Sequence, residues 1–114
     1  MNNLDRGRLV DMLYHSELAI SFTGTYEAAE LEIDERTFLA TCKASEIVGE
    51  AANQVSLEGR RLLPDRPWRE VIAMRHRLVH GYRSVVSEVI VGTVRASLPP
   101  LVRSLRRALE DNAQ

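Results

Sequence analysis

The stretch RHRLVHGY, at residues 75–82, shows where one helix of this chain ends. Gly81 lacks a Cβ and is well suited to end a helix. Pro67 is well suited to begin one, because the first helical amide needs no acceptor within the helix. The stretch therefore predicts a helix over about 67–80 that leaves His80 at its fraying end.

Two further helices are predicted before this one. Apolar residues at helical spacing predict a first helix from about residue 4 to 22 that ends near Gly24. A second helix runs from an N-cap at Asp34 to about Val55, and its Gly49 would let another helix approach closely. The acidic stretch over 27–32 fits a loop, a short helix or a continuation of the first helix.

The second half of the chain continues the helical pattern. A loop over 56–66 leads into the helix described above, and a fourth helix begins near Ser84. Pro99 and Pro100 interrupt this fourth helix although its apolar period continues, which predicts a kink or a break into two collinear segments. No segment shows the two-residue alternation of a strand. We therefore expect one all-α domain over residues 1–114, folded as a four- to five-helix antiparallel bundle.

Size and composition limit the classes of protein to which the chain can belong. The 114 residues are 45% hydrophobic and 27% charged, which is ordinary for a globular protein with a single modest core. No stretch approaches the roughly 18 apolar residues of a membrane span, and the N-terminus lacks the pattern of a secretory signal. The single cysteine, Cys42, cannot form an internal disulfide and fits a position in or near the core. These features predict a cytoplasmic protein without a membrane partner.

Charge is divided unequally between the two halves of the chain. Residues 1–59 carry 4 basic and 11 acidic residues, whereas residues 60–114 carry 11 arginines and 5 acidic residues. The halves could pair acid with base inside the fold, or the arginines could form a surface for nucleic acid, because a guanidinium matches the geometry of a phosphate. Either a solvated helix face or a contact with RNA would likewise explain the arginines of the last helix, Arg103, Arg106 and Arg107.

Arg75 takes an unusual position on its helix. On a helical wheel it falls within the apolar arc centred on Trp68, together with Val79. An arginine in that position is unfavourable unless it is paired or faces a cleft. It could form a buried ion pair with Glu46 or Glu50 of the second helix, or its face could line a polar cleft at a subunit contact.

The side chains within residues 75–82 fit the cleavage of a phosphodiester. An imidazole such as that of His80 can take a proton from a ribose 2′-hydroxyl or deliver one to the leaving 5′-oxygen. Arg75 could hold the phosphate and stabilise the negative charge of the transition state, and Tyr82 could orient the phosphate or stack on a base. A metal-independent ribonuclease needs these groups, although a single helical histidine is more often structural.

His76 and His80 are four residues apart, a spacing that can also bind a metal ion. No glutamate follows His76 in the pattern of a zinc-protease helix, and no third ligand is evident in the sequence. We therefore expect neither a metal ion nor another cofactor.

In this setting the residues resemble the HEPN superfamily, and specifically the HepT-like toxins of prokaryotic HEPN/nucleotidyltransferase (MNT) toxin–antitoxin pairs. The family motif R-x4-H-x-Y reads here Arg75, His80 and Tyr82, with His76 as the polar residue after the arginine.

Three other segments are similar to this family. SEIVGEAA at 45–52 resembles its second helix, PWREVIAM at 67–74 its third, and LPPL at 98–101 its last. The resemblance therefore covers most of the chain, from the first helix to about residue 109.

The resemblance implies a homodimeric all-α bundle in which two motifs face each other across a composite cleft. It implies a metal-independent endoribonuclease that cleaves mRNA or tRNA and leaves a 2′,3′-cyclic phosphate, with Arg75 and His80 catalytic and His76 assisting. It also implies a type VII-like toxin that is silenced when a cognate MNT-type antitoxin transfers AMP to Tyr82, in the homodimer or in a larger hetero-oligomer.

One position departs from the family pattern, and two other functions compete with the ribonuclease. Glycine stands between His80 and Tyr82, where a larger polar residue is frequent, and this predicts a looser loop. The intact motif favours a ribonuclease over a non-catalytic module that binds a nucleotide or RNA and scaffolds a nucleotidyltransferase. A helical adaptor without a nucleic-acid role is the third alternative.

Overall fold

The computed structural model describes residues 1–66 and 68–113, and this part of the chain forms seven helices without a strand. They are α1 (Asn3–Thr23), α2 (Ala28–Ile33), α3 (Glu35–Gln54), α4 (Leu57–Arg60), α5 (Trp68–His80), α6 (Arg83–Ala96) and α7 (Leu98–Asp111). The predicted all-α class is confirmed, and five of the helices are long. Pro67, the predicted first residue of α5, lies outside the described residues.

The start of α3 follows its predicted signal. The Asp34 side chain accepts a hydrogen bond from the Thr37 amide at 3.2 Å, so the predicted N-cap of α3 is confirmed. The acidic stretch before it forms the short helix α2. There the Glu27 amide donates to the Glu30 carboxylate at 2.9 Å, an arrangement typical of a helix start.

The two prolines lie in the first turn of α7 and not inside a continuous helix. The chain breaks at Ser97, and the axes of α6 and α7 differ in direction by 51°. Proline fits a first turn because the amides there have no helical acceptor, so the bend comes before the prolines. The predicted break is present, but the prediction that the two segments are collinear is wrong.

Distant contacts show that packed helices run antiparallel. α1 packs against α3 and α7, α3 against α5, and α2 against α6. The start of α1 meets the end of α3, where the Ser56 amide donates to the Asp5 carboxylate at 2.9 Å. The start of α1 also meets the end of α7, where Arg6 donates to the Asn112 carbonyl at 3.2 Å. The predicted antiparallel bundle is therefore confirmed.

The core consists of aliphatic side chains contributed by every long helix. Burial of this apolar surface is the main force that holds the helices together. Cys42 packs half-buried against this core, as predicted. The side chains that are completely or almost completely buried include Leu9, Met12, Leu31, Val48, Ile90, Leu98 and Leu105.

No single helix among the described residues is long and apolar enough to cross a membrane. α6 and α7 reach that length and composition only together, as the bent pair described above.

Four ion pairs join the acidic and the basic half of the chain. Each pairs an arginine from residues 60–114 with a glutamate from residues 1–59: Arg75 with Glu50, Arg83 with Glu35, Arg95 with Glu27, and Arg106 with Glu17. For these four arginines the alternative of acid–base pairing between the halves is confirmed. The other seven arginines of the basic half form no ion pair within residues 1–66 and 68–113.

Candidate active site

The helix α5 lies at the surface and packs mainly against α3. Its buried stripe consists of Val71, Met74 and Leu78, which are spaced three and four residues apart. Trp68 is only partly buried, and Val79, predicted on the same apolar arc, is 51% exposed. The predicted arc is therefore rotated away from the stripe that the fold buries.

Arg75 lies beside this buried stripe, on the flank of α5 that faces α3. Its Nε lies 3.1 Å from Oε2 of Glu50, so one of the two predicted ion-pair partners is correct. The side chains are 55% and 48% exposed, so the prediction that such a pair would be buried is wrong. Because the pair uses Nε, the terminal guanidinium nitrogens stay available for an anion such as phosphate.

Gly49 allows this close contact between the two helices. A Cβ at this position would lie 3.1 Å from the Cβ of Arg75 and 3.1 Å from the carbonyl oxygen of Val71. Both distances are shorter than ordinary van der Waals contact, so a side chain would require α5 to move. The predicted close approach of another helix at Gly49 is confirmed, and it brings the next residue, Glu50, beside Arg75.

Glu50 is held on both of its oxygens. Oε2 contacts Arg75, and Oε1 accepts a hydrogen bond from Nε2 of Gln54 at 3.2 Å. From the sequence, Glu50 was predicted only as a partner for Arg75, and Gln54 was not predicted. The signal was present, because residues four apart on a helix share a face.

His76 and His80 lie side by side in the last two turns of α5. Their ring centroids are 4.5 Å apart with an angle of 48° between the ring planes, and both residues are exposed. Within the described residues no group of three His, Cys, Asp or Glu side chains is arranged to hold a metal ion. Because both rings are exposed, the pair offers two neighbouring imidazoles to a ligand in solution.

An open cleft of about 400 Å³ follows the junction of α3 and α5 and brings three of the four predicted site residues together. Arg75, His76 and His80 all line it, as does Glu50. Asn53, which the sequence analysis missed, completes the α3 side. The full lining is Gly49, Glu50, Asn53, Ile72, Ala73, Arg75, His76, Val79 and His80.

Tyr82, the fourth predicted residue, does not line this cleft. It is the N-cap of α6 and is 86% exposed. Only Gly81 and Tyr82 connect α5 to α6, and a Cβ at position 81 would lie 2.7 Å from the carbonyl oxygen of Arg77. The glycine therefore allows a tight connection instead of the looser loop that the sequence predicted.

Comparison with known proteins identifies the family of the chain. Residues 12–108 match the family model described as "Ribonuclease HepT-like". The chain belongs to the HepT-like family. This family is part of the HEPN superfamily, so the resemblance found from the sequence motif is confirmed.

Relatives of this HepT-like chain cover nearly its whole length. It is 34% identical over 101 residues to a protein of Thermococcus cleftensis named "Probable ribonuclease HepT", covering 89% of this chain and 92% of that protein. It is 25% identical over 103 residues to a protein of Methanocaldococcus jannaschii named "Putative RNase", covering 90% of this chain and 85% of that protein. No solved structure shows significant similarity to this HepT-like chain.

Proposed function

We propose that this HepT-like protein is a metal-independent endoribonuclease that cleaves RNA in the cleft between α3 and α5. The observation that carries the proposal is that Arg75, His76 and His80 share one exposed cleft, in which Glu50 fixes the guanidinium of Arg75. The family description and the names of both relatives support the same activity.

The reaction would be attack of a ribose 2′-oxygen on the adjacent phosphorus. The bond from phosphorus to the 5′-oxygen breaks, and a 2′,3′-cyclic phosphate remains. A base takes the proton of the 2′-hydroxyl, and an acid protonates the leaving 5′-oxygen. The terminal nitrogens of Arg75 bind the non-bridging oxygens, where negative charge grows in the transition state. Imidazoles suit the two proton transfers at neutral pH, and His80, with His76 beside it, supplies one of them.

The geometry of this reaction favours a homodimer. The attacking and leaving oxygens lie roughly in line on opposite sides of phosphorus, so the base and the acid must also face opposite sides. His76 and His80 lie on the same helix with their rings 4.5 Å apart, so one protomer offers imidazoles to one side only. A second protomer facing the first would supply the other imidazole. Exposed Val79 and half-buried Ile72 in the cleft wall give such a contact its apolar part.

Loss of the motif histidine tests the activity. We expect His80→Ala to lower RNA cleavage by at least a hundredfold, because general acid–base catalysis contributes about that much. His15→Ala is the matched control: His15 lies on α1, and its Nδ1 is 2.8 Å from the Asp11 carbonyl oxygen. Cleavage of mRNA and tRNA would be followed by mapping the new RNA ends. Equal rates for the parent and His80→Ala would refute the assignment. A parent that cuts neither RNA would favour the non-catalytic scaffold instead.

The subunit contact can be tested separately from catalysis. We expect Val79→Arg to weaken the dimer in analytical ultracentrifugation and to reduce cleavage in parallel, without loss of helical content. Val10→Arg, at a similarly exposed valine of α1, serves as the control. A fully active protein that remains monomeric at assay concentration would contradict the composite cleft.

We further propose that the protein is the toxin of a type VII-like module and that Tyr82 accepts AMP from a cognate MNT-type nucleotidyltransferase. The Tyr82 hydroxyl would attack the α-phosphorus of ATP, pyrophosphate would leave, and the proton would pass to a base or to water. The added negative charge, two residues along the chain from His80, would repel RNA and block its entry. At 86% exposure Tyr82 is accessible to such an enzyme, whereas the Tyr26 hydroxyl donates a hydrogen bond to Asp34 at 2.6 Å.

Co-expression with a cognate MNT-type nucleotidyltransferase would test this regulation. Intact-mass and peptide analysis should find AMP on Tyr82, and Tyr82→Phe should abolish the modification while Tyr14→Phe retains it. Growth inhibition by the protein alone, relieved by the active transferase, is the expected phenotype. AMP on Tyr14 or on no tyrosine would contradict the proposed site.

A further inference from the structure

A second groove lies on the opposite flank of α5 from the candidate active site. It has a volume of about 520 Å³ and runs between α5, α6 and the start of α7. Its wall on α5 carries Arg69, Ala73 and Arg77, and its wall on α6 carries the Thr93 hydroxyl. We call it the flanking groove. The proposed reaction, as derived above, uses none of its charged side chains.

The flanking groove meets the active-site cleft at Ala73, which lines both of them. Ala73 is exposed on the outer surface of α5, and among the described residues its methyl group is the only side chain that lies in both walls. A polymer that occupies the active-site cleft can therefore cross α5 at this low point and continue into the flanking groove.

The charges of the flanking groove favour a polyanion. Arg69 and Arg77 precede and follow Ala73 by four residues, which separates them by about 12 Å along the helix axis. Both are exposed, and neither forms an ion pair within the described part of the chain. Glu70 is the single acidic side chain that lines the groove. Two available guanidinium groups on the path leading from the scissile bond match the repeating phosphates of a nucleic-acid strand.

We propose that the flanking groove binds the single-stranded RNA next to the scissile phosphate, with Arg69 and Arg77 each contacting a backbone phosphate. The inference rests on the proposed ribonuclease function, and it assigns a substrate path to residues outside the R-x4-H-x-Y motif. Contacts with phosphates carry no sequence information. The flanking groove would therefore increase the affinity for longer RNA strands without a preference for a particular base.

The salt dependence of RNA binding tests the proposal. The probe is a fluorescent single-stranded RNA of about twelve nucleotides, bound to the dimeric His80→Ala protein so that it is not cut. Each phosphate contact to a single strand contributes about 0.7 to the slope of log Kd against log salt concentration. Arg69→Gln and Arg77→Gln should each lower that slope by about 0.7 and weaken binding about three- to fivefold.

Arg36→Gln is the charge-matched control, because Arg36 is an exposed arginine at the start of α3 and lines neither the active-site cleft nor the flanking groove. It should leave the slope unchanged. Equal effects of the three substitutions would overturn the flanking groove as a binding site, because they would reflect net charge alone. Glu70→Gln should tighten binding, whereas Glu110→Gln on α7 should not.

Cleavage kinetics separate this inference from the proposed function. With catalytically intact protein, Arg69→Gln and Arg77→Gln should raise KM for the long RNA at unchanged kcat and should not alter cleavage of a dinucleotide. A parent that cuts no RNA would refute the proposed function. The binding titration would still test whether the flanking groove binds RNA. Unchanged KM for the long RNA in both variants would refute RNA binding in the flanking groove and leave the catalytic assignment intact.

Discussion

Gly49 of α3 and Arg75 of α5 lie directly against each other. A Cβ on residue 49 would be only 3.1 Å from the Cβ of Arg75. This contact sets the depth at which the guanidinium lies in the cleft. It also places Glu50 next to the group that it binds.

Substitution at this contact should separate activity from stability. In Gly49→Ala the gain of about 1 kcal/mol in helix propensity opposes a similar cost of overpacking, so the free energy of unfolding should change little. RNA cleavage should nevertheless fall several-fold, because α5 must shift by a few tenths of an ångström. Gly92→Ala is the control, since a Cβ there meets nothing within 4 Å. That variant should gain about 0.5–1 kcal/mol in urea denaturation and keep full activity.

Glu50 should act on RNA cleavage by holding the guanidinium of Arg75. We expect Glu50→Ala to reduce kcat for RNA several-fold, since the guanidinium loses the carboxylate that holds Nε. The free energy of unfolding should fall by less than about 1 kcal/mol, because the pair is half exposed. Glu17→Ala breaks the exposed pair with Arg106 on another face and should not change kcat. Additive losses in the Glu50→Ala, Arg75→Ala double variant would show that the two side chains act independently.

Acid should destabilise the protein partly through Asp5. The Ser56 amide and hydroxyl donate to this buried carboxylate, and these hydrogen bonds lower the pKa of Asp5 below its usual value. Its contribution to stability is therefore complete above the unfolded pKa, near 4, and is lost as the pH falls through the lower folded pKa. The pKa of Asp34 is lowered in the same direction, mainly by the hydrogen bond from Tyr26, so it adds to the acid dependence.

Urea denaturation between pH 7 and pH 3 would measure the contribution of Asp5. Asp5→Asn should cost about 1–3 kcal/mol at pH 7 and should show a smaller loss on acidification than the parent. Ser56→Ala removes the hydroxyl donor but keeps the amide, so an intermediate result is expected. A profile for Asp5→Asn that runs parallel to the parent below pH 4 would contradict the linkage.

Cys42 should react slowly with thiol reagents in the folded protein. Burial, with a smaller effect of nearby Glu46, raises the pKa of the Cys42 thiol to about 11 from its ordinary value of 9.0. The thiolate is the reactive form, so at pH 8 alkylation should be about a hundredfold slower than in denatured protein. Glu46→Gln should recover a small part of that rate. Equal rates with and without denaturant would show that the thiol is not buried and that its pKa is not raised.

The helices that begin and end with local signals could be predicted from the sequence. Asp34 caps α3 through its own side chain, and Gly24 ends α1 with a positive φ of 51°, which favours glycine. The direction of α7 could not be predicted, because the apolar period continues across the break at Ser97 and contains no information about the angle between axes. The 51° bend follows from packing against α1 and α6.

The grouping of Arg75, His76 and His80 on one face could be predicted from the sequence, but the burial of their helix could not. A helical wheel assigns equal weight to every apolar residue, so it placed the core direction near Trp68 and drew Arg75 into it. Among the residues that the structure describes, α3 and α6 are the helices that pack closely on α5, and they bury the stripe that contains Met74. Which flank of a surface helix stays open depends on those neighbours. The flanking groove around Ala73 was missed for the same reason.

The four ion pairs between the two halves of the chain also bear on how the molecule could be divided. A cut in the connection over 61–66 would give an acidic fragment that holds Glu50 and a basic fragment that holds Arg75 and His80. Opposite net charge would speed the association of these pieces. Neither piece alone would contain both walls of the cleft, so RNA cleavage would require reassembly in trans. The protein could in this way be converted into a two-component nuclease whose activity reports the meeting of its fragments.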